Sequence, residues 1–234
     1  MLILSHRGYH RSCPENTLAA FEQAVALGVD GFETDIRLDV QGIPILFHDR
    51  VAPTGVPVSN LTHEELSEFV GYSVPTLASA LESFCPLLWN LEIKEAAAVP
   101  IALSVLSRFQ SSHRFLLTSF DHPAIAEVVR CVSLDAGLLV AHRPLEAVSL
   151  AEWFPREMRQ KFVVWDFQTA DPAVVDRAAA QGIQSLAYGV HTREEHDRVA
   201  GWNLYGVITD HPEFLLGADR RPVRHRDETN LKNP

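Results

Sequence analysis

The sequence predicts a (β/α)8 barrel. Three observations carry that reading. Eight short apolar runs alternate with helical stretches, and 234 residues suit one barrel better than two ordinary domains. No glycine-rich fingerprint supports the rival arrangement, an open doubly wound sheet. Strands separated by helices pair in parallel through right-handed crossovers, which a closed barrel satisfies.

The first strand is expected over residues 2–5. Its helix follows over 16–27, where Leu18, Phe21, Ala24 and Val25 recur at three-to-four spacing. Strand two spans 31–38, and a short turn around Gln41 and Gly42 joins it to an extra strand over 44–48. Residues 50–75 read as a loop insertion with one small helix, opened by the capping box Thr62-His63-Glu64-Glu65. Val74-Pro75-Thr76-Leu77 leads into a further helix ending near Cys85, before strand three at 89–94 and a helix at 96–109. The pattern then repeats. Strands are expected at 115–119, 136–141, 162–165, 185–190 and 205–209, followed by helices at 123–132, 144–153, 172–181, 193–201 and 212–216. Residues 1–217 thus form one domain. Residues 218–234, rich in Arg, Asp and Asn, are expected as a polar surface arm.

The composition narrows the function. Apolar residues at 47% supply a large core, and 21% charged residues with 12 glycines exclude a disordered or fibrous chain. The net charge of −10 speaks against a nucleic-acid or anionic-membrane partner. From Asp219 onward there are five bases and three acids, so the body carries 15 minus 27, or −12. An anionic small-molecule substrate would need local cations to attract it. Cys13, Cys85 and Cys131 are odd in number and form no CxxC pair, which reads as free thiols in a reducing compartment. No basic stretch precedes the apolar run 1–5, so the cytoplasm is the expected location.

Active sites of such barrels sit at the C-terminal strand ends. Strand one ends in His6-Arg7-Gly8, strand two carries Glu33 and Asp35, the extra strand ends in His48-Asp49, and strand three carries Glu92 and Lys94. Residues two apart on a strand share a face, so Glu33 with Asp35, and Glu92 with Lys94, point the same way. A lone Glu-x-Asp is usually a solvated face, and a lone His-Asp often a turn. These carboxylates instead sit in otherwise apolar strands, and they gather at successive strand ends. Three carboxylates facing one interior repel one another unless paired or metal-bound. Oxygen-only ligation favours Mg²⁺ or Ca²⁺ over Zn²⁺. Beside such a metal, Arg7 and Lys94 suit a phosphate, and His6 and His48 suit acid–base work.

The ordered motifs resemble the glycerophosphodiester phosphodiesterase family. His6-Arg7-Gly8, Pro14-Glu15-Asn16-Thr17 with Ala20-Phe21, and Gly28-x-Asp30-x-x-Glu33-x-Asp35 open the signature. Gly42, His48-Asp49, Val74-Pro75-Thr76-Leu77, Asn90-x-Glu92-x-Lys94, Ser119-Phe120 and Ile208-Thr209-Asp210-x-Pro212 follow in the family's order, from residue 3 to about 216. The resemblance implies one Mg²⁺ or Ca²⁺ at Glu33, Asp35 and Glu92, catalytic His6 and His48, and Arg7 and Lys94 on the phosphate. It implies hydrolysis of glycerophosphodiesters to sn-glycerol 3-phosphate and an alcohol. Asn16 reads as a helix cap instead. The chain departs from the family where Tyr188-Gly189-Val190-His191 replaces a Trp-Thr-Val-Asn-like run, and where residues 50–75 are short. Tyr188 and Phe120, with Trp165, are expected to line the substrate pocket, whereas Trp202 is assigned to packing. Cleavage of lysophospholipids is the alternative, given an apolar groove at the mouth. A non-catalytic binding module on the same fold is the weaker rival, because no catalytic position is lost.

Overall fold

The computed structural model describes residues 1–84, 87–143, 152, 154–155, 158 and 160–217. The helix expected over 144–153 lies outside these residues but for residue 152, and so does the arm over 218–234.

Eight parallel strands close into a barrel: β1 (Leu2–His6), β2 (Gly31–Leu38), β4 (Leu88–Ile93), β5 (Arg114–Ser119), β6 (Asp135–Val140), β7 (Lys161–Asp166), β8 (Ile183–Tyr188) and β9 (Gly206–Thr209). The β1–β2 and β1–β9 pairings seal it. The short β3 (Pro44–Leu46) folds back antiparallel on the far end of β2, with Ile36 opposite Leu46. Gly42 supplies the positive φ, 77°, that this tight return needs.

Helices α1 (Leu18–Leu27), α4 (Ala98–Ser107), α5 (His122–Cys131), α6 (Pro172–Ala180) and α7 (Arg193–Ala200) connect successive strands, while α2 (His63–Val70) and α3 (Leu77–Ser83) belong to the insertion after β3. The capping box at Thr62 and Glu65 forms both of its hydrogen bonds. Thr192 and Glu195 form a second one that opens α7. None of the described helices is long and apolar enough to cross a membrane.

Alternation along the strands builds two cores. Phe32, Trp89, Leu91, Phe115 and Val163 face the helices, where Phe21 meets Trp89 edge-on at 5.3 Å between ring centroids. Leu4, Leu88, Leu116, Phe162, Leu186 and Ile208 fill the lower barrel interior. That apolar plug leaves the upper interior to polar side chains. Trp165, expected at the pocket, is a correction. It is 1% exposed in the outer layer, its Nε1 donating to Ser185 Oγ at 3.1 Å, because it stands one residue out of phase with the inward positions of β7. Trp202 stacks on Phe167, as a packing residue should.

Candidate active site

The inward positions of the upper strands bring the expected residues together. His6, Arg7, Glu33, His48, Glu92, Lys94, Phe120 and Tyr188 all line one cavity of about 330 Å³. Asp35 lies beneath it, fully buried.

The register explains the convergence. His6 pairs with Glu33 across β1 and β2, and Asp35 with Glu92 across β2 and β4. One oxygen from each of Glu33, Asp35 and Glu92 lies within 4.8 Å of the others. Burial raises Glu33 well above the usual carboxylate range, and Asp35 and Glu92 push it further. Burial also raises Glu92. Asp35 is the exception. Burial works against its charge, but Lys94 and Arg7 outweigh it and hold the group ionised. Lys94 Nζ stands 2.6 Å from Glu92 Oε1 and 2.8 Å from Asp35 Oδ1, and Arg7 Nε 3.2 Å from Asp35 Oδ2. Three converging carboxylate oxygens, with one of their groups forced toward protonation by burial and by the other two, form a donor set that a hard divalent cation fits.

Arg7 is held by its backbone as well as its charge. It adopts a positive φ of 53°, its amide donates to Glu33 O at 2.8 Å, and Gly8 turns beside it. A Cβ on Gly8 would stand 2.7 Å from the Ala20 backbone, so only glycine lets this turn pack on α1. The guanidinium donates to Glu15 Oε1 at 2.8 Å. Burial lowers its pKa, but Asp35, Glu15 and Glu33 more than compensate, and it stays charged.

Each histidine has its Nδ1 committed. His6 Nδ1 donates to Asp210 Oδ1 at 2.7 Å, and His48 Nδ1 to Asp49 Oδ1 at 2.8 Å. A carboxylate accepts only, so Nδ1 carries the proton in both pairs and Nε2 is left for the cavity. His6 Nε2 lies 3.7 Å from Glu33 Oε2. The His48 backbone is pinned by Arg37 Nε, which donates to its carbonyl at 2.8 Å.

Three residues exceed or correct the expectations. Asp210 receives His6 and, at 3.1 Å, His10 Nε2. Burial alone would raise it, but those two hydrogen bonds hold it far below the carboxylate range. Asn16 does not cap α1. Thr17 does, accepting from Ala20 N, while Asn16 donates to Asp35 Oδ2 at 2.8 Å and accepts from Thr34 Oγ1 at 2.6 Å. Its positive φ of 55° turns it inward to orient the carboxylate. Asp166 ends β7 and lines the cavity beside Tyr188. His63 and His196 stay outside the cavity lining.

A family model described as "Glycerophosphoryl diester phosphodiesterase family" matches residues 6–214. A protein of Caldanaerobacter subterraneus subsp. tengcongensis named glycerophosphodiester phosphodiesterase is 26% identical, over 94% of this chain and 98% of that one. The solved structure of a Thermotoga maritima glycerophosphodiester phosphodiesterase superposes with a TM-score of 0.76 at 26% identity, covering 92% of this chain and 96% of the other. An Oleispira antarctica phosphodiesterase, solved with its product sn-glycerol-3-phosphate, shares the fold at a TM-score of 0.78 and 22% identity, over 91% and 94% of the two chains.

Proposed function

The chain belongs to the glycerophosphoryl diester phosphodiesterase family and hydrolyses glycerophosphodiesters to sn-glycerol 3-phosphate and an alcohol, and from that premise we propose how its mouth divides the work. The family depends on divalent metal in general. Here Glu33, Asp35 and Glu92 would hold the ion, and their all-oxygen set suits Mg²⁺ or Ca²⁺. Bound there, it would polarise the phosphoryl oxygens. Arg7 and Lys94 neutralise the charge that develops on them. Of the two histidines, one is neutral and its Nε2 accepts the proton of the attacking water or substrate hydroxyl, while the other acts as an imidazolium, protonated on both nitrogens, and its Nε2 donates a proton to the departing alcohol oxygen. Asp210 and Asp49 fix the imidazole tautomers this exchange requires. The substrate is a small molecule, and an odd number of cysteines with no CxxC pair supports the reducing cytoplasm as its compartment.

The observation that carries this reading is the convergence of two histidines, two fixed cations and three carboxylates on one cavity. The experiment is release of glycerol 3-phosphate from glycerophosphocholine and glycerophosphoethanolamine. Turnover is expected with Mg²⁺ or Ca²⁺ and is expected to vanish in EDTA; full turnover in the chelator would refute the metal assignment.

One observation favours a second substrate class. A groove of about 480 Å³ runs beside His48, where Phe47, Pro53, Phe69, Val70 and Tyr72 share the lining with Glu15, Asn16 and Asp49. Its apolar residues suit an acyl chain on the glycerol. Choline release from lysophosphatidylcholine at a rate matching glycerophosphocholine would support that reading, and its absence would dismiss it.

A further inference from the structure

His6 belongs to a second group of donors, different in kind from the three carboxylates. It ends β1, Asp210 follows β9, and His10 stands on the loop after Gly8. The β1–β9 pairing that seals the barrel brings the first two together. The Tyr9 amide donates to Ala20 O at 2.9 Å and so pins the loop that carries His10. Asp210 Oδ1 meets both rings, His6 Nδ1 at 2.7 Å and His10 Nε2 at 3.1 Å. One donor atom from each of the three residues lies within 4.8 Å of the others. Each side chain keeps between 27% and 30% of its surface exposed, so the group is open to solvent at the mouth. His10 belongs to neither His6-Arg7-Gly8 nor Pro14-Glu15-Asn16-Thr17, the motifs on either side of it.

We propose that His6, His10 and Asp210 bind a borderline divalent cation of the zinc class, and that this ion silences the hydrolysis. The inhibition rests on the diester-hydrolase reading above, whereas the binding does not. Two imidazole nitrogens and one carboxylate oxygen suit Zn²⁺, while the all-oxygen set of Glu33, Asp35 and Glu92 suits Mg²⁺ or Ca²⁺. Zinc–ligand bonds of about 2.0–2.2 Å in a tetrahedron set neighbouring donor atoms about 3.3 Å apart. The contacts of 2.7 and 3.1 Å are hydrogen bonds, and a slight rotation of each ring opens them to that spacing. As the ion takes the Nδ1 lone pair of a neutral His6, the ring proton moves to Nε2, and His10 shifts its own from Nε2 to Nδ1. An imidazolium at either position releases one proton to solvent. With Nδ1 occupied, the Nε2 that faces the cavity keeps its proton and has no lone pair. His6 can then neither accept a proton from the attacking hydroxyl nor form the imidazolium that a departing alcohol needs. Orienting His6 takes Asp210 alone; a second imidazole on the same oxygen completes a three-donor set.

The test uses the full-length chain without an affinity tag, in saturating Mg²⁺ or Ca²⁺ and buffered free Zn²⁺. It reads glycerol 3-phosphate released from glycerophosphocholine and, separately, Zn²⁺ uptake in competition with a chromogenic chelator. Zn²⁺ is expected to abolish turnover, and about tenfold more Mg²⁺ or Ca²⁺ is expected not to restore it. His10→Gln keeps an amide donor for Asp210, so its turnover without Zn²⁺ should stay near the wild-type value. Its half-inhibition should need at least about tenfold more Zn²⁺, because loss of even an outer partner of a metal ligand costs about 10–100-fold in affinity. Zn²⁺ uptake should weaken by a similar factor in His10→Gln and in Asp210→Asn. Equal zinc sensitivity of the wild type and His10→Gln would overturn the proposal. So would turnover untouched by Zn²⁺, or inhibition relieved in proportion to added Mg²⁺ or Ca²⁺, which would place the zinc at the carboxylates. A chain that hydrolyses no glycerophosphodiester would refute the hydrolase reading instead, and the His10 dependence of Zn²⁺ uptake would still decide the site.

Discussion

On the β1–β4 side of the mouth the inward positions hold His6, Glu33, Asp35, Glu92 and Lys94, whereas on the β5–β8 side they hold Thr118, Leu139, Asp166 and Tyr188. The backbone is the same on both sides, and the same alternation points these residues inward. The contents differ in cost. The first side buries three carboxylates against two cations, with Glu33 driven far toward protonation by burial and its neighbours. The second carries one carboxylate, Asp166, whose Oδ1 accepts from the Gln168 amide. An arrangement that burdens the fold on one side only is what a reaction centre requires.

The comparison breaks hardest at the carboxylates. Glu33→Gln, Asp35→Asn or Glu92→Gln should each lower kcat by about a thousandfold or more, since a metal supplies several kcal/mol of charge stabilisation. Calorimetric titration should show weakened Mg²⁺ or Ca²⁺ binding in the same variants. Metal affinity unchanged in all three would leave the first side without its assigned role.

Asp210→Asn should act more mildly. It leaves His6 in place but loosens the tautomer that Asp210 holds, so kcat should fall about ten- to a hundredfold with KM little changed. A change confined to KM would mean that Asp210 contacts substrate instead.

The smallest effect sharpens the boundary of the site. His10 has its pKa raised, first by its hydrogen bond to Asp210. In the unfolded chain it titrates near about 6.5. The resulting stabilisation is fully present below about pH 6.5 and is lost as pH rises through the higher folded value. The Tm advantage of the wild type over His10→Gln should therefore shrink with rising pH. An advantage that grew with pH would reverse the sign of that coupling.

Much of this was legible in the residue order. Glu33 and Asp35 betray themselves as charges in an apolar strand, and β2 spans Gly31–Leu38 as expected. Asp166 carries the same signal at the end of an apolar β7 and escaped notice for want of a second polar residue two positions away. Asp210 belongs to the Ile208-Thr209-Asp210-x-Pro212 motif, but its bond to His6 spans 204 residues and needs the closed barrel to exist. Asn16 misled because a residue before a helix resembles a cap. Thr17 performs that task, and the positive φ that turns Asn16 onto Asp35 has no local signature.

The central claim is that the β1–β4 side performs the chemistry, and the histidine pair tests it most directly. The measurement is kcat for His6→Ala and His48→Ala on saturating glycerophosphocholine, with folding and metal affinity verified for each protein. A positioned acid or base contributes about 10²–10⁴-fold, and losses of that order are predicted for both variants. His191→Ala, on the opposite side of the mouth, should lose much less. Near-normal turnover in both His6→Ala and His48→Ala would contradict the account.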